Sequence, residues 1–232
     1  YSRQKSKADA LANILQCNAY DSFNNVKEQS CTFVISVKDD AIADAFEKAY
    51  AACPNSIFIH TAGSVSIDVF KNKAKSYGVL YPLQSFSIKR DLDFNNIPLF
   101  VEGNNEYTTS LLCGIATKIS KQPVTVLNSE HRKKMHLAAV FASNFTNHCY
   151  TCAKQLLEES GVKFSALLPL IDETCKKVHE LSPEDAQTGP AVRYDKTVLS
   201  MQEKMLQGAK LDIYRSISRS IHETATKRTE NK

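Results

Sequence analysis

Residues 32–40, TFVISVKDD, decide the predicted fold of the first half of the chain. The run 32–37 is short and apolar, which is typical of a strand covered on both faces of a parallel sheet. Asp39 and Asp40 follow at once, and carboxylates at this place suit the N-terminus of a helix. The stretch therefore predicts a strand that leads directly into a helix, which extends to Cys53.

The same alternation of strand and helix continues on both sides of this stretch, as far as residue 127. Further strands are predicted over residues 56–61, 79–86, 98–101 and 123–127. Helices are predicted over residues 6–17, 66–76 and, with Asn105 as its cap, 105–119. Short apolar strands that alternate with helices are typical of a mainly parallel α/β sheet with helices on both faces.

After residue 127 only helical patterns remain. Residues 129–160 form one long pattern, which Gly161 closes as a C-cap. Shorter helical patterns follow over residues 164–181, 195–206 and 210–227. The sequence thus predicts an α/β domain over residues 1–127 and an all-helical domain over residues 128–232.

The net charge, the hydrophobic pattern and the cysteines exclude some classes of protein. The net charge of the 232 residues is only +4, so the chain lacks the charge pattern of a nucleic-acid-binding protein. No apolar run approaches the roughly 18 residues of a membrane span. The seven cysteines are odd in number and widely spaced, which favours reduced thiols and a cytoplasmic protein. Cys149 and Cys152 form a single CxxC motif. We favour the interpretation that they are ordinary buried cysteines and not a redox pair. With no second CxxC in the sequence, no metal site is predicted.

Small or hydrogen-bonding residues follow the predicted parallel strands, at residues 36–40, 60–64 and 81–86. In open parallel sheets, ligands bind beyond the carboxyl ends of the strands. Gly63 allows a tight turn or the close approach of a ligand. Ordinary turn chemistry accounts for the same composition, so a binding site and plain loops both fit these segments.

The long helical pattern carries a polar stripe roughly 100° wide. Its members are Lys133, His136, Ser143, Asn144, Asn147 and Thr151. A solvent-exposed face is usually rich in Lys and Glu, whereas this stripe consists mostly of neutral donors and acceptors, which suit the half-buried wall of a site. Both interpretations fit the pattern. If the stripe lines a site, His136 is the best candidate for a general acid or base.

Residues 188–195, TGPAVRYD, form a loop between two predicted helices. The loop is either a connector with Asp195 as the N-cap of the next helix, or a site at which Arg193 clamps a carboxylate or phosphate.

A dinucleotide-binding sheet has a glycine-rich turn after its first strand, and none of the seven glycines forms G-x-G-x-x-G. The sequence nevertheless contains the motifs YSR (1–3), ISVKDDA (35–41), HTAGS (60–64), YPLQSF (81–86), HLAAVFASNF (136–145) and TGPAVR (188–193). In this order they resemble the provisionally named NADP oxidoreductases, which have a Rossmann-like N-terminal domain and a helical C-terminal domain of unknown function. More distantly, the layout is similar to pyrroline-carboxylate reductase, deazaflavin-linked NADP reductases and hydroxyacid dehydrogenases.

The resemblance implies that a first strand–helix unit with the glycine-rich turn, about thirty residues long, precedes Tyr1. It places Ser2 and Arg3 at the end of a second strand, where Arg suits the extra phosphate of NADP and an acidic residue would suit NAD. Tyr194 stands where the family has glycine, which is costly if this position needs a positive φ. Further cofactor contacts are implied at Val37, Lys38, Asp40, His60, Thr61 and Gly63.

The activity implied by the resemblance is that of an NADP-dependent oxidoreductase, which transfers a hydride to or from a small C=O or C=N substrate. His136 would donate the proton and Asn144 would orient the substrate, with Lys133 beside them as a third catalytic candidate. By analogy with related reductases, a homodimer is expected, with no nucleic-acid or membrane partner. The alternatives are a non-catalytic NADP-binding sensor or scaffold of the same fold, and a helical interaction protein whose α/β part is structural.

Overall fold

The structure is a computed structural model that describes residues 1–26, 30–87 and 89–230. Contacts within the chain divide it into two compact units, Tyr1–Phe145 and Thr146–Lys232. The first contains a sheet with helices and the described part of the second is helical, which confirms the predicted fold class. The first unit extends past residue 127, the predicted end of the α/β domain, because the start of the long helical segment packs on the sheet.

The first unit follows the predicted alternation of helices and strands. In chain order its elements are α1 (Lys5–Leu15), β1 (Thr32–Ile35), α2 (Ile42–Ala52), β2 (Ile57–His60), β3 (Ser76–Pro82), β4 (Leu99–Gly103), α3 (Glu106–Ile119), β5 (Val124–Val126) and α4 (Ser129–Ala139). A π-helical segment, Val140–Phe145, follows α4. Asn105 caps α3 as predicted, because its side chain accepts a hydrogen bond from the backbone N–H of Thr108.

In the part of the chain that the structure describes, five strands form one mainly parallel sheet in the order β1–β2–β3–β4–β5. The pairs β1–β2, β2–β3 and β4–β5 are parallel. Strands β3 and β4 are antiparallel, with Gly78 opposite Gly103 and Pro82 opposite Leu99. The carboxyl ends of β1, β2 and β3 therefore lie at the same edge of the sheet, and the loops that follow them are neighbours.

Two helices pack against different faces of β3. Leu80 packs with Leu112 of α3, whereas Val79 and Tyr81 pack with Met135 of α4. This division follows from the alternation of side chains along a strand. Helix α4, which carries the predicted catalytic residue His136, thus lies against the sheet face that bears Tyr81.

The prediction of a helix over residues 66–76 is wrong. The structure has only a short 3-10 turn, Ile67–Phe70, which begins where the Ser66 side chain accepts a hydrogen bond from the backbone N–H two residues later. Asn72 then adopts φ 69°, in the left-handed region, which ends any continuing helix. Strand β3 begins soon afterwards, at Ser76.

The strand predicted over residues 79–86 lies earlier in the chain, at Ser76–Pro82. Its start is set by pairing with the neighbouring strand, since Ser76 lies opposite Ile57 of β2. A hydrophobic pattern reports the apolar part of a strand but not the polar residues that continue its pairing.

The second unit consists of helices α5 (Thr146–Glu159), α6 (Leu168–Glu180), α7 (Pro183–Ala186), α8 (Lys196–Glu203) and α9 (Gly208–Glu230). Gly161 has φ 71° just after the end of α5, as its predicted role requires. Asp195 caps α8 by accepting a hydrogen bond of 3.2 Å from the Val198 N–H. Within the described residues, none of the helices has the length and apolar character that a membrane crossing needs.

Tyr194 adopts a left-handed backbone conformation, with φ 50°. A side chain in this region is strained by roughly 1–2 kcal/mol, whereas glycine is not. The Tyr194 ring stacks on His222, with centroids 4.3 Å apart and planes at 19°, and Lys196 Nζ lies 5.3 Å from the ring centroid. These contacts favour the strained conformation. Arg193 is exposed, and a role for it as an anion clamp stays a prediction.

Candidate active site

Hydrogen bonds between side chains join the loops that follow β1 and β2. The Thr61 hydroxyl donates to the Ser36 hydroxyl at 3.4 Å, and the Ser64 hydroxyl donates to the Asp39 carboxylate. Two of the predicted binding loops are thus held side by side at the carboxyl edge of the sheet, the edge at which open α/β sheets bind ligands. Asp40, a predicted cofactor contact, is exposed next to this bridge.

A cavity of about 600 Å³ lies beyond the carboxyl end of β1. Half of the predicted cofactor residues line it, namely Ser2, Arg3, Val37 and Lys38. Lys7 and Lys48 are also in the lining, whose one carboxylate among the described residues is Asp44. Several cations around one space favour an anionic ligand, such as a phosphate.

The chain around Ser2 is fixed by local contacts. The Tyr1 ring stacks on Phe23 with centroids 4.0 Å apart, and the Ser2 N–H donates to the Tyr20 carbonyl at 3.2 Å. The Ser2 hydroxyl accepts a hydrogen bond from the Gln4 N–H. Because the backbone is held on both sides, the cavity presents the Ser2–Arg3 segment as a formed surface.

His60 is fully buried at the end of β2. Its Nδ1 accepts a hydrogen bond of 3.2 Å from the Ala62 N–H, which shapes the loop that leads to Gly63. Burial, together with the nearby charge of Arg132, lowers the pKa of the His60 imidazole to about 4. The ring is therefore neutral at pH 7, and its contribution in this conformation is to the shape of the loop.

The free energy of unfolding should fall by about 3 kcal/mol as the pH is lowered from about 6.5 to about 4, because of His60 alone. In this range the unfolded chain binds a proton at this imidazole and the folded chain does not, so the stabilisation is complete above the range and lost within it. Urea denaturation across the range measures the loss. In His60→Asn the amide can still accept the Ala62 N–H but does not titrate, so the pH dependence should be weaker by that amount.

The matched control is His131→Asn, which removes an exposed histidine of the same unit. It should keep the full pH dependence of the wild-type protein. Equal pH slopes in wild type and His60→Asn would contradict the assignment of the effect to the buried ring.

A buried ion pair anchors α4 on the sheet. Arg132 is fully buried; its guanidinium pairs with Glu102 of β4 and donates to the Val65 carbonyl in the loop after β2. The Ser129 N–H and hydroxyl each donate to the Glu102 carboxylate at 2.9 Å. The network therefore joins β4, the loop after β2 and the first turn of α4. Neither Arg132 nor Glu102 was predicted to belong to the site. The one feature of the sequence that could have indicated the pair is the carboxylate of Glu102 at the end of an apolar strand.

Three residues meet where α4 passes the end of β3. The Tyr81 hydroxyl lies 3.0 Å from His136 Nδ1, and the two rings meet edge to face, with centroids 5.9 Å apart. A Cβ at Gly63 would lie 2.6 Å from His136 Nδ1 and 2.8 Å from Tyr81 Cζ. The position therefore requires glycine, because any side chain would displace both rings.

The phenol of Tyr81 stays protonated over the physiological pH range. Burial raises its pKa above the ordinary value, and the charge of Arg132 opposes that shift only in part. Tyr81 was not predicted as a site residue, although it begins the YPLQSF motif. The segment 81–86 was one of three that fitted either a binding site or plain loops, and nothing in the sequence indicates the contact of Tyr81 with His136.

The remaining members of the polar stripe differ in exposure. His136 and Ser143 are half-buried, whereas Lys133, Asn144, Asn147 and Thr151 are exposed. Asn144 lies in the π-helical segment, a feature that is frequent at functional sites. The catalytic roles of Lys133 and Asn144 stay predictions.

A family model, Domain of unknown function (DUF2520), matches residues 97–221, which is more than half of the chain. The chain belongs to the DUF2520 family. The match includes Glu102, Arg132 and His136, so both the buried ion pair and the candidate proton donor lie within the family region. Among curated proteins no significant match was found.

This DUF2520 protein is similar to several solved structures. A provisionally named NADP oxidoreductase from Bacteroides fragilis is 40% identical, with a TM-score of 0.87, over 96% of this chain and 87% of that one. An imine reductase from Streptomyces aurantiacus is 13% identical, with a TM-score of 0.66, over 97% and 85%. A reductive aminase from Aspergillus terreus, in complex with NADPH and ethyl-5-oxohexanoate, is 12% identical, with a TM-score of 0.59, over 99% and 84%.

These relatives carry different weight. The 40% identity to the Bacteroides fragilis protein confirms the resemblance that the sequence motifs predict. At 13% and 12% identity, the imine reductase and the reductive aminase share the fold with this DUF2520 protein, and the likeness shows no more than that.

Proposed function

We propose that the protein is an NADP-dependent oxidoreductase that transfers a hydride to or from a small C=O or C=N substrate. The observation that carries the proposal is the cavity beyond β1, where Ser2, Arg3, Val37 and Lys38 surround one space. These residues come from two separate segments of the chain that were both predicted to bind cofactor. Their meeting around one cavity supports a single binding site.

The cavity fits the phosphate that distinguishes NADP from NAD. The cations Arg3, Lys7, Lys38 and Lys48 line it, and a guanidinium such as that of Arg3 suits bidentate contact with a phosphate. A site for NAD would instead present a carboxylate to the ribose hydroxyls. The one carboxylate among the described lining residues, that of Asp44, lies 2.7 Å from Lys48 Nζ and forms an ion pair with it.

The comparisons support the same reaction class. The 40% identical relative from Bacteroides fragilis carries the provisional name NADP oxidoreductase. The imine reductase and the reductive aminase, the latter in complex with NADPH, have the same fold. By analogy of fold, we extend the proposal to carbonyl and imine substrates.

In the proposed mechanism NADPH, when bound, supplies the hydride, and the protein supplies position and protons. His136 donates a proton to the oxygen or nitrogen of the product. Asn144 orients the substrate through its amide, and Lys133 adds positive charge near the developing anion. Gly63 allows the loop after β2 to approach His136 closely, since no Cβ fits there.

The preference for NADPH over NADH tests the cofactor assignment. In the full-length protein, NADPH at one hundred times its Kd should raise the free energy of unfolding by about 2.7 kcal/mol in a thermal shift experiment. Arg3→Ala should weaken NADPH binding by about tenfold or more, because one charge-assisted contact with the phosphate is lost. The affinity for NADH, which lacks that phosphate, should not change.

Lys5→Ala is the matched control, because Lys5 is exposed in the same segment but lies outside the cavity lining. Equal affinities for NADPH and NADH in the wild-type protein would rule out the proposed preference. NADPH binding without turnover of any carbonyl or imine substrate would support the non-catalytic sensor or scaffold instead.

We also infer a cytoplasmic homodimer in which the helical unit forms the interface. Within residues 146–230, Ala191 and Leu199 are the buried apolar residues. Many larger ones are exposed, namely Leu156, Val162, Leu168, Leu170, Val178, Leu181, Met201, Met205 and Ile217. A helical unit with so little buried apolar surface needs a further surface to pack against, and a second copy supplies one symmetrically.

A further inference from the structure

Tyr81 is the residue of the YPLQSF motif that reaches the candidate active site. The residue is 7% exposed, and its hydroxyl lies 3.0 Å from Nδ1 of His136. Gly63 lies against both rings and leaves no room for a side chain between them. The imidazole is therefore held on one side by a hydrogen bond and confined by a backbone loop.

We propose that Tyr81 is a positioning residue that holds the His136 imidazole in the orientation for proton transfer, an inference that rests on the proposed function. A phenol hydroxyl can both donate and accept a hydrogen bond. It accepts from the Nδ1–H in the imidazolium and in the neutral ring that remains after Nε2 has given up its proton, and it donates to Nδ1 in the other neutral tautomer. The same contact thus persists in both protonation states, and Nε2 is the nitrogen left for proton exchange.

The proton balance of the reduction is consistent with this role. As the hydride adds to the carbon, the electron pair of the double bond moves to the oxygen or nitrogen, which takes the Nε2 proton of the imidazolium. The ring becomes neutral and keeps its Nδ1–H, which donates to the Tyr81 hydroxyl. Water then returns a proton to Nε2. Tyr81 keeps its own proton throughout, as the raised pKa of its buried phenol favours.

The two buried charged groups near the Tyr81–His136 pair are bonded to each other. Arg132, one turn earlier on α4, is paired with Glu102 of β4, so the two charges largely compensate each other. The neighbouring strand β3 contributes the neutral phenol of Tyr81.

Tyr81→Phe tests the inference, because it removes the hydroxyl and keeps the ring. In the full-length protein with NADPH and a panel of carbonyl and imine substrates, kcat should fall by about tenfold or more, while KM and the affinity for NADPH stay unchanged. In the imidazolium form of His136, the Nδ1 proton should give an observable NMR signal in the wild-type protein, because its hydrogen bond slows exchange with water. In Tyr81→Phe that signal should be lost.

Tyr77→Phe is the matched control, since Tyr77 lies on the same strand and packs against Phe70 with ring centroids 5.9 Å apart. It should change neither kcat nor the His136 signal. If Tyr81→Phe keeps the turnover of the wild-type protein, the inference is wrong but the proposed function stands. The same holds if the wild-type protein shows no Nδ1 signal, and this second measurement does not require any variant to fold. A wild-type protein that binds NADPH but turns over no substrate would overturn the proposed function and this inference with it.

Discussion

Replacing Arg132 with methionine should lower the free energy of unfolding by about 3–5 kcal/mol. The change removes the cationic partner of Glu102, whose side chain is only 13% exposed, and leaves its carboxylate to the Ser129 donors alone. The Val65 carbonyl loses a donor as well. Since isolated buried charge is far more costly than a buried pair, the loss should exceed that of any ordinary surface substitution.

Chemical denaturation of the purified protein measures this effect. Lys134→Met is the matched control, because it removes an exposed cation from the same helix and adds the same side chain; it should change stability by less than about 0.5 kcal/mol. The double variant Arg132→Met/Glu102→Gln should recover part of the loss, because it leaves no uncompensated charge. An Arg132→Met variant as stable as Lys134→Met would show that the ion pair does not anchor α4.

The sequence could not reveal this ion pair. Arg132 belongs to the run HRKK at residues 131–134, and a run of basic residues ordinarily predicts a solvated helix face. Its partner Glu102 lies 30 positions earlier, in a strand. Burial of a single member of a charged run depends on how the helix is rotated against the sheet, which is a property of tertiary packing.

Capping residues predicted the ends of several helices, and the structure shows the contacts and backbone angles on which those predictions depended. Asn105 caps α3 with its side chain, and Gly161 follows α5 with a positive φ. Both features depend on residues next to each other in the chain. The antiparallel direction of β4 against β3 depends instead on residues that are distant in the chain, so no local pattern could predict it.

The candidate site divides in the same way. Gly63 and His136 were predicted because glycine and histidine are recognisable by residue type at the end of a strand and on a polar stripe. Tyr81 was missed, since its contact with His136 joins positions 55 apart in the sequence. The cavity beyond β1 could be predicted in part, because Ser2 and Arg3 and the loop at Val37 and Lys38 resemble cofactor-binding segments, but their meeting is a result of the fold.

His136→Ala should reduce kcat by about 10²- to 10⁴-fold, the range that a general acid or base contributes. NADPH affinity should not change, because His136 is not part of the cavity lined by Ser2 and Arg3. Substrate KM should change little, because a group that acts only in the transition state affects kcat and kcat/KM alike. Steady-state kinetics and a thermal shift with NADPH measure the two properties separately.

His131→Ala is the control, since it removes an exposed histidine from the same helix. Unchanged turnover in His136→Ala would remove the proposed proton donor, whatever the cofactor. The variant also separates the roles of two neighbours: if Tyr81 acts through His136, adding Tyr81→Phe to His136→Ala should cause no further loss of kcat. A further loss in the double variant would mean that the Tyr81 hydroxyl serves the reaction by itself, because residues that act as one unit have non-additive effects.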